Sequence, residues 1–228
     1  MFKVRKSIKR FRDNPAWTYR KHARDYLATF ERGGYPFSLG PHGARIDNLL
    51  QGAVQGREVS LFHLLAWQRP LGSSGSSMPD TYSVAVLPLP RALPHTAFTS
   101  SRLSWRTREW QRVALPSSIY GHRDLKDLGS HLVRHFTTDP EFAALINSYA
   151  LEKLMHKAEL GWRIEGSRMI GWTSGRKTYE DLLTMVDTLT IIIDDFPEQV
   201  WNWPEEKASS PQALRSGAPR GRHRRERR

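Results

Sequence analysis

The stretch Gly161-Trp162-Arg163-Ile164-Glu165-Gly166-Ser167-Arg168-Met169-Ile170-Gly171-Trp172 decides how this chain is read. Two short runs, each carrying Trp and Ile, flank Gly166-Ser167, and that arrangement predicts a β-hairpin turning at the Gly-Ser pair. After a polar break, residues 178–196 predict a capped helix. Thr178 stands at the N-cap, and Asp181 three positions later returns a hydrogen bond to its amide. Leu182, Met185, Val186, Leu189, Ile192, Ile193 and Phe196 recur at helical spacing until Pro197 ends the run. Neither element is stable alone, so both must close over a core built upstream.

Moving outward, Asp139-Pro140-Glu141 is a helix start, with cap, proline and acid in order. Helices are expected over 139–160, with a break near Asn147. Residues 44–54 and 58–67 predict two strands joined at Gln55-Gly56-Arg57. A third strand is expected over 81–87, with Tyr82, Val84 and Val86 on one face, a fourth near 95–100 and a fifth near 131–138. Residues 71–80, containing Gly72-Ser73-Ser74-Gly75-Ser76-Ser77, predict a flexible connection. Residues 102–128 show no period despite Trp105 and Trp110. Residues 15–31 predict a helix ended by Gly33-Gly34.

About seven strands followed by a long helix give an α+β fold, an antiparallel sheet with helices packed on it. A curved barrel closed by the C-terminal helix, as in pleckstrin-homology domains, is a special case of the same element order and implies no function. The expected organisation is a basic helical arm over 1–33, one α+β domain over 34–203 and an Arg-rich tail over 204–228. That tail has nothing to bury and is expected to be disordered.

The formal net charge of +12 is concentrated at the two ends. Lys3, Arg5, Lys6, Lys9, Arg10 and Arg12 give +6 with no acid among the first twelve residues. Arg215, Arg220, Arg222, Arg224, Arg225, Arg227 and Arg228 against Glu226 give another +6, so residues 13–214 sum to zero. Clustered cations of this kind suit an anionic partner: nucleic acid, an anionic membrane surface or an acidic protein. The absence of cysteine excludes disulfides and thiolate chemistry. It fits a cytoplasmic setting, with a peripheral place at the membrane as the variant. No run approaches the ~18 consecutive apolar residues of a membrane span, and no apolar stretch follows the basic N-terminus as a secretory signal would require.

Chemistry-bearing patterns are few. Gly171-Trp172-Thr173-Ser174-Gly175-Arg176-Lys177-Thr178 places Lys177 and Thr178 at phosphate-loop distance from Gly171, between a strand and a helix. Gly171, Gly175, Lys177 and Thr178 are therefore the candidate phosphate-binding set, with Asp194 after Ile191-Ile192-Ile193 imitating the metal-holding acid. Against it, Gly175 falls one place early and Arg176 stands where the second glycine belongs. The preceding strand also belongs to a tight hairpin instead of a parallel sheet. His131 and His135 share a spacing that metal ligands use, but no third ligand is evident. His22 with Asp25 and His122 with Asp124 are isolated pairs. No metal, cofactor or catalytic residue is expected. The Trp residues are read as core before stacking platforms, because none alternates with the terminal cations. Asp187, Asp194 and Asp195 form an acidic edge that either faces solvent or receives an Arg-rich end.

With Gly34-Tyr35-Pro36-Phe37, the Gly52 to Arg57 turn, Asp139-Pro140-Glu141-Phe142 and Gly161 to Gly166 in view, the chain resembles a family of mid-sized actinobacterial proteins with a domain of unknown function. The resemblance spans residues 34–197 and rests on glycines, prolines and aromatics. It implies no activity and no catalytic residue. The leading functional expectation is a non-enzymatic binding or scaffold module tethered by its basic ends. Lys3, Arg5, Lys6, Lys9, Arg10, Arg12, Arg220, Arg222, Arg224, Arg225, Arg227 and Arg228 would make the contacts. The alternative is an enzyme or ligand-binding protein using 171–178 on a nucleotide or phosphorylated substrate.

Overall fold

Nine antiparallel strands form one open sheet among the residues that a computed structural model describes, 2–31, 36–37, 44–67, 79–100, 126–127 and 132–204. The elements run α1 (Phe2–Arg12), β1 (Thr18–His22), α2 (Arg24–Leu27), β2 (Ala44–Val54), β3 (Arg57–Trp67), β4 (Pro79–Pro88) and β5 (Thr96–Ser100). They continue with β6 (Lys126–Asp127), β7 (Val133–Thr137), α3 (Pro140–Ile146), α4 (Tyr149–Ala158), β8 (Gly161–Glu165), β9 (Arg168–Ser174), α5 (Tyr179–Asp194) and α6 (Glu198–Trp201). Strand order is β1-β2-β3-β4-β9-β8-β5-β7-β6. The outer strands β1 and β6 do not pair among the described residues, so the sheet is not a closed barrel.

The hairpin and helix of residues 161–196 form as their sequence dictates. Gly166 alone of the turn pair takes a left-handed φ (+58°), as a II′ turn requires, and Gly161 faces Trp172 across the pair. Thr178 and Asp181 complete a reciprocal capping box on α5. Leu182, Met185, Val186, Leu189, Ile192 and Ile193 are buried against the first face of the sheet, where Leu61, Ala85, Met169, Trp162 and Ile164 point. Gly171 lets α5 approach closely, since a Cβ there would lie 2.5 Å from Leu189 Cδ1. α3 and α4 are separate helices capped by Asp139 and Ser148, which sets the break at Asn147.

The opposite face carries Ile46, Leu49, Phe62, Leu64, Val84, Ala97, Phe136, Ile170 and Trp172, with Ala23, Phe30 and Phe37 packed over it. Buried among these apolar side chains is a charged group. Arg163 is fully buried, and its Nη2 donates to Glu165 Oε2 and to the Glu31 carbonyl (3.3 Å). Arg168 Nη2 reaches Glu165 Oε1 at 2.7 Å, and the Glu31 amide donates to the same oxygen at 2.9 Å. Burial pulls the Arg163 pKa down, while Glu165 opposes the shift. The network fixes Glu31, next to Phe30, to the sheet.

Two expectations change. Residues 15–31 are not one helix: Thr18–His22 pairs with β2 as an edge strand, and α2 is a single turn. Tertiary pairing overrides the helical spacing of Trp17, Tyr19, Ala23, Tyr26, Leu27 and Phe30 that suggested it, and Pro15 stands ahead of the strand. The strand count among the described residues rises from about seven to nine through β1 and the two-residue β6. Most of the 71–80 connection, most of the 102–128 segment and residues 205–228 lie outside the described residues. So do His122, Asp124 and His131.

Candidate functional site

α1 is a helix with no acid and with Lys3, Arg5, Lys6, Lys9, Arg10 and Arg12 all exposed. Its inner side is fixed to the body. Phe11 is buried, with its ring 5.3 Å from Tyr179 and 5.9 Å from Trp17. Ser7 is buried and caps α5 from outside, its Oγ accepting from the Tyr179 amide at 2.9 Å and donating to Glu180. One of the four amides a helix start leaves unsatisfied is met in this way. Arg10 pairs with Glu180 and Arg12 with Asp13, which raises the Arg12 pKa. Phe2, at the free end of α1, is 80% exposed.

α1 rests against α5, β1 and β2, and beneath that contact β2 is irregular. The β2–β3 register shifts between Asp47 and Leu50, and Asn48 takes a left-handed φ of +54°. A bulge is needed because Ile46 and Leu49, three apart, both belong to the second core, while Leu50 belongs to the first. Asn48 Oδ1 accepts from the Tyr19 hydroxyl (2.8 Å), and its carbonyl accepts from the Tyr179 hydroxyl (2.5 Å). Burial raises the pKa of both tyrosines and so keeps them as donors.

Beside Asn48 lies His63, fully buried, with Nε2 2.8 Å from the Lys177 carbonyl. A carbonyl only accepts, so Nε2 carries the proton. Burial lowers the His63 pKa and keeps the ring neutral, leaving Nδ1 to accept from Asn48 Nδ2 at 3.4 Å. Asp47, nearly buried, gathers Arg45 Nε, Arg176 Nη2 and His22 Nδ1, each at 3.0 Å. His22 thus pairs with Asp47, while Asp25 pairs with Arg20 at 2.6 Å.

These contacts define the 171–178 loop. Gly171 lies inside β9, and the turn proper is held by the Gly175 amide on the Thr81 carbonyl and the Lys177 amide on Ser83 Oγ. The Thr178 amide and hydroxyl both donate to Asp181. The amides of Gly175, Lys177, Thr178 and Tyr179 all have partners within the chain, so they do not form an open phosphate cradle. Gly175, Lys177 and Thr178 stay neighbours, and Lys177, exposed, also lines a cleft beside α4. Asp194, at the far end of α5, pairs with Arg57.

Other sequence candidates resolve into packing. His135 is buried with its ring 3.8 Å from Phe98, and no group of three metal-ligating side chains exists among the described residues. Trp162 and Trp172 are fully buried, and Trp17, Trp201 and Trp203 pack against the first core. The Arg220 to Arg228 set lies outside the described residues. The bulge was not anticipated, yet a signal for it existed: Asp47-Asn48, both poor strand formers, interrupt the 44–54 run just where its apolar alternation slips.

No helix of the described residues is long and apolar enough to cross a membrane. The chain's fold is similar to that in the crystal structure of the mycobacterial trehalose monomycolate transport factor A, TtfA. The TM-score is 0.53 and the identity 14%, over 86% of this chain and 95% of that one. At this identity the likeness shows the fold alone. No family model matches the chain and no curated protein matches it, which agrees with its resemblance to a family without an assigned activity.

Proposed function

We propose that the protein is a non-enzymatic binding or scaffold module that sits on an anionic membrane surface through α1. One observation carries the reading: six exposed cations and an exposed Phe2 stand on a helix whose opposite side is fixed to the body by Ser7 and Phe11. A cationic helix held in place loses little entropy on binding, and an exposed aromatic beside cations suits the headgroup boundary of a bilayer better than a phosphate backbone. The Arg-rich sequence beyond residue 204 adds charge of the same sign. TtfA is a transport factor, and a transport-associated binding role for this chain belongs to the same proposal.

Each Lys or Arg near an anionic leaflet contributes about 1 kcal/mol, so changing Lys3, Lys6 and Lys9 together to Gln should weaken binding by on the order of a hundredfold. Co-sedimentation with vesicles of phosphatidylcholine, alone or mixed with phosphatidylglycerol, tests this. Binding should require phosphatidylglycerol, fall as salt rises and fall again in the triple variant. Equal binding to both vesicles, or capture of RNA in preference to either, would overturn it.

A further inference from the structure

A cleft of about 340 Å³ opens between the C-terminal end of α4 and the outer flank of α5, and no residue of α1 lines it. That volume lies at the lower end of the range for small-molecule sites. Its floor is apolar, formed by the buried Leu160 and Met185. Lys157, from α4, and Lys177, from the turn before α5, both line it, and neither ammonium has a hydrogen bond or ion pair among the described residues. The nearest acid on α5, Asp181, is engaged through Oδ2 by the Thr178 amide and hydroxyl.

Three threonines complete the walls, and their hydroxyl protons are already committed. Thr173 donates to the Glu159 carbonyl, Thr184 to the Glu180 carbonyl and Thr188 to the Thr184 carbonyl. What they offer the cleft is lone pairs, so the site presents acceptors from its threonines and donors from its lysines. Glu159 stands at the lip in a left-handed conformation (φ 49°, ψ 45°), where a helix end ordinarily places glycine.

From this division of donors and acceptors we propose that the cleft binds a small polyhydroxylated anion, of which a sugar phosphate is the simplest form. Lys157 and Lys177 hold the anionic group. The lone pairs of Thr173, Thr184 and Thr188 accept from the hydroxyls. The site is independent of the membrane reading, because none of its residues belongs to α1.

Thermal unfolding of the full chain, titrated with glucose 6-phosphate, inorganic phosphate and glucose, tests the assignment. A saturable rise in Tm is expected with the sugar phosphate, a smaller one with phosphate and none with glucose. Lys157→Met and Lys177→Met, both exposed and therefore tolerated by the fold, should each weaken the apparent affinity by on the order of tenfold. Lys21→Met, outside the cleft, should leave it unchanged. No saturable shift with either anion, equal shifts with both anions, or a shift that survives both cleft variants would overturn the proposal. Vesicle binding of the two cleft variants should match that of the unchanged chain, which keeps the two tests separate.

Discussion

Replacing Gly161 by alanine tests how closely the hairpin that anchors the fold is packed. A Cβ at this position would lie 2.5 Å from Trp172 Cε2, 2.6 Å from Cζ2 and 2.7 Å from Nε1. Carbon atoms in contact sit at ~3.5–4.0 Å, so the indole must retreat by about 1 Å. Trp172 is fully buried in the second core and has no free direction in which to move. Overpacking of this kind costs about 1–3 kcal/mol, and alanine's smaller unfolded-state entropy offsets about 0.4–1 kcal/mol of it. The net loss is at most about 2.6 kcal/mol and centred on about 1.3 kcal/mol, which for a chain of this size lowers Tm by roughly 3–5 °C. Urea unfolding of Gly161→Ala, Trp172→Phe and the double variant measures it. Phenylalanine removes the atoms that clash, so Gly161→Ala should cost about 1 kcal/mol less in that background. A Gly161→Ala protein as stable as the original, or an equal cost in both backgrounds, would refute the packing argument.

Two further outcomes follow from buried polar groups. Glu165→Gln removes the carboxylate that engages both fully buried Arg163 and Arg168, and should cost about 3–5 kcal/mol in urea unfolding. A loss under about 1 kcal/mol would mean that Arg163 is not held as described. His63 has a folded-state pKa lowered by burial, so its contribution is fully present above the unfolded value of about 6.5. As pH falls below that, the unfolded chain takes up a proton that the folded chain refuses, and stability declines by up to about 1.4 kcal/mol per pH unit. His63→Gln should flatten the stability profile between about pH 7 and pH 5, and an unchanged slope would contradict the assignment.

Local chemistry explains which parts of this architecture were legible before any coordinates. Gly166-Ser167, Thr178 with Asp181, and Asp139-Pro140 act within a few residues of themselves, and each formed as read. The insertion of β5 between β8 and β7 has no such signature, because strand pairing across dozens of residues leaves no mark on either sequence. Residues 15–31 read as helix because Trp17, Tyr19 and Tyr26 allow helical spacing, whereas the partner of β1, β2, lies more than twenty residues away. The cations of α1 were legible as a cluster. Their presentation on a docked helix was not, since Ser7 reads as an ordinary polar residue until the start of α5 is placed beside it. The 171–178 loop shows the converse. Its spacing suggested a phosphate cradle, but the amides are engaged by Thr81, Ser83 and Asp181, contacts that only the folded sheet supplies.

Vesicle binding by a chain ending at residue 204 isolates α1 from the C-terminal arginines and addresses the account at its centre. If the docked helix is the lipid-facing element, the shortened chain keeps its requirement for phosphatidylglycerol and its salt sensitivity, and loses both when Lys3, Lys6 and Lys9 become Gln. A shortened chain that no longer binds, with α1 intact, would contradict the account.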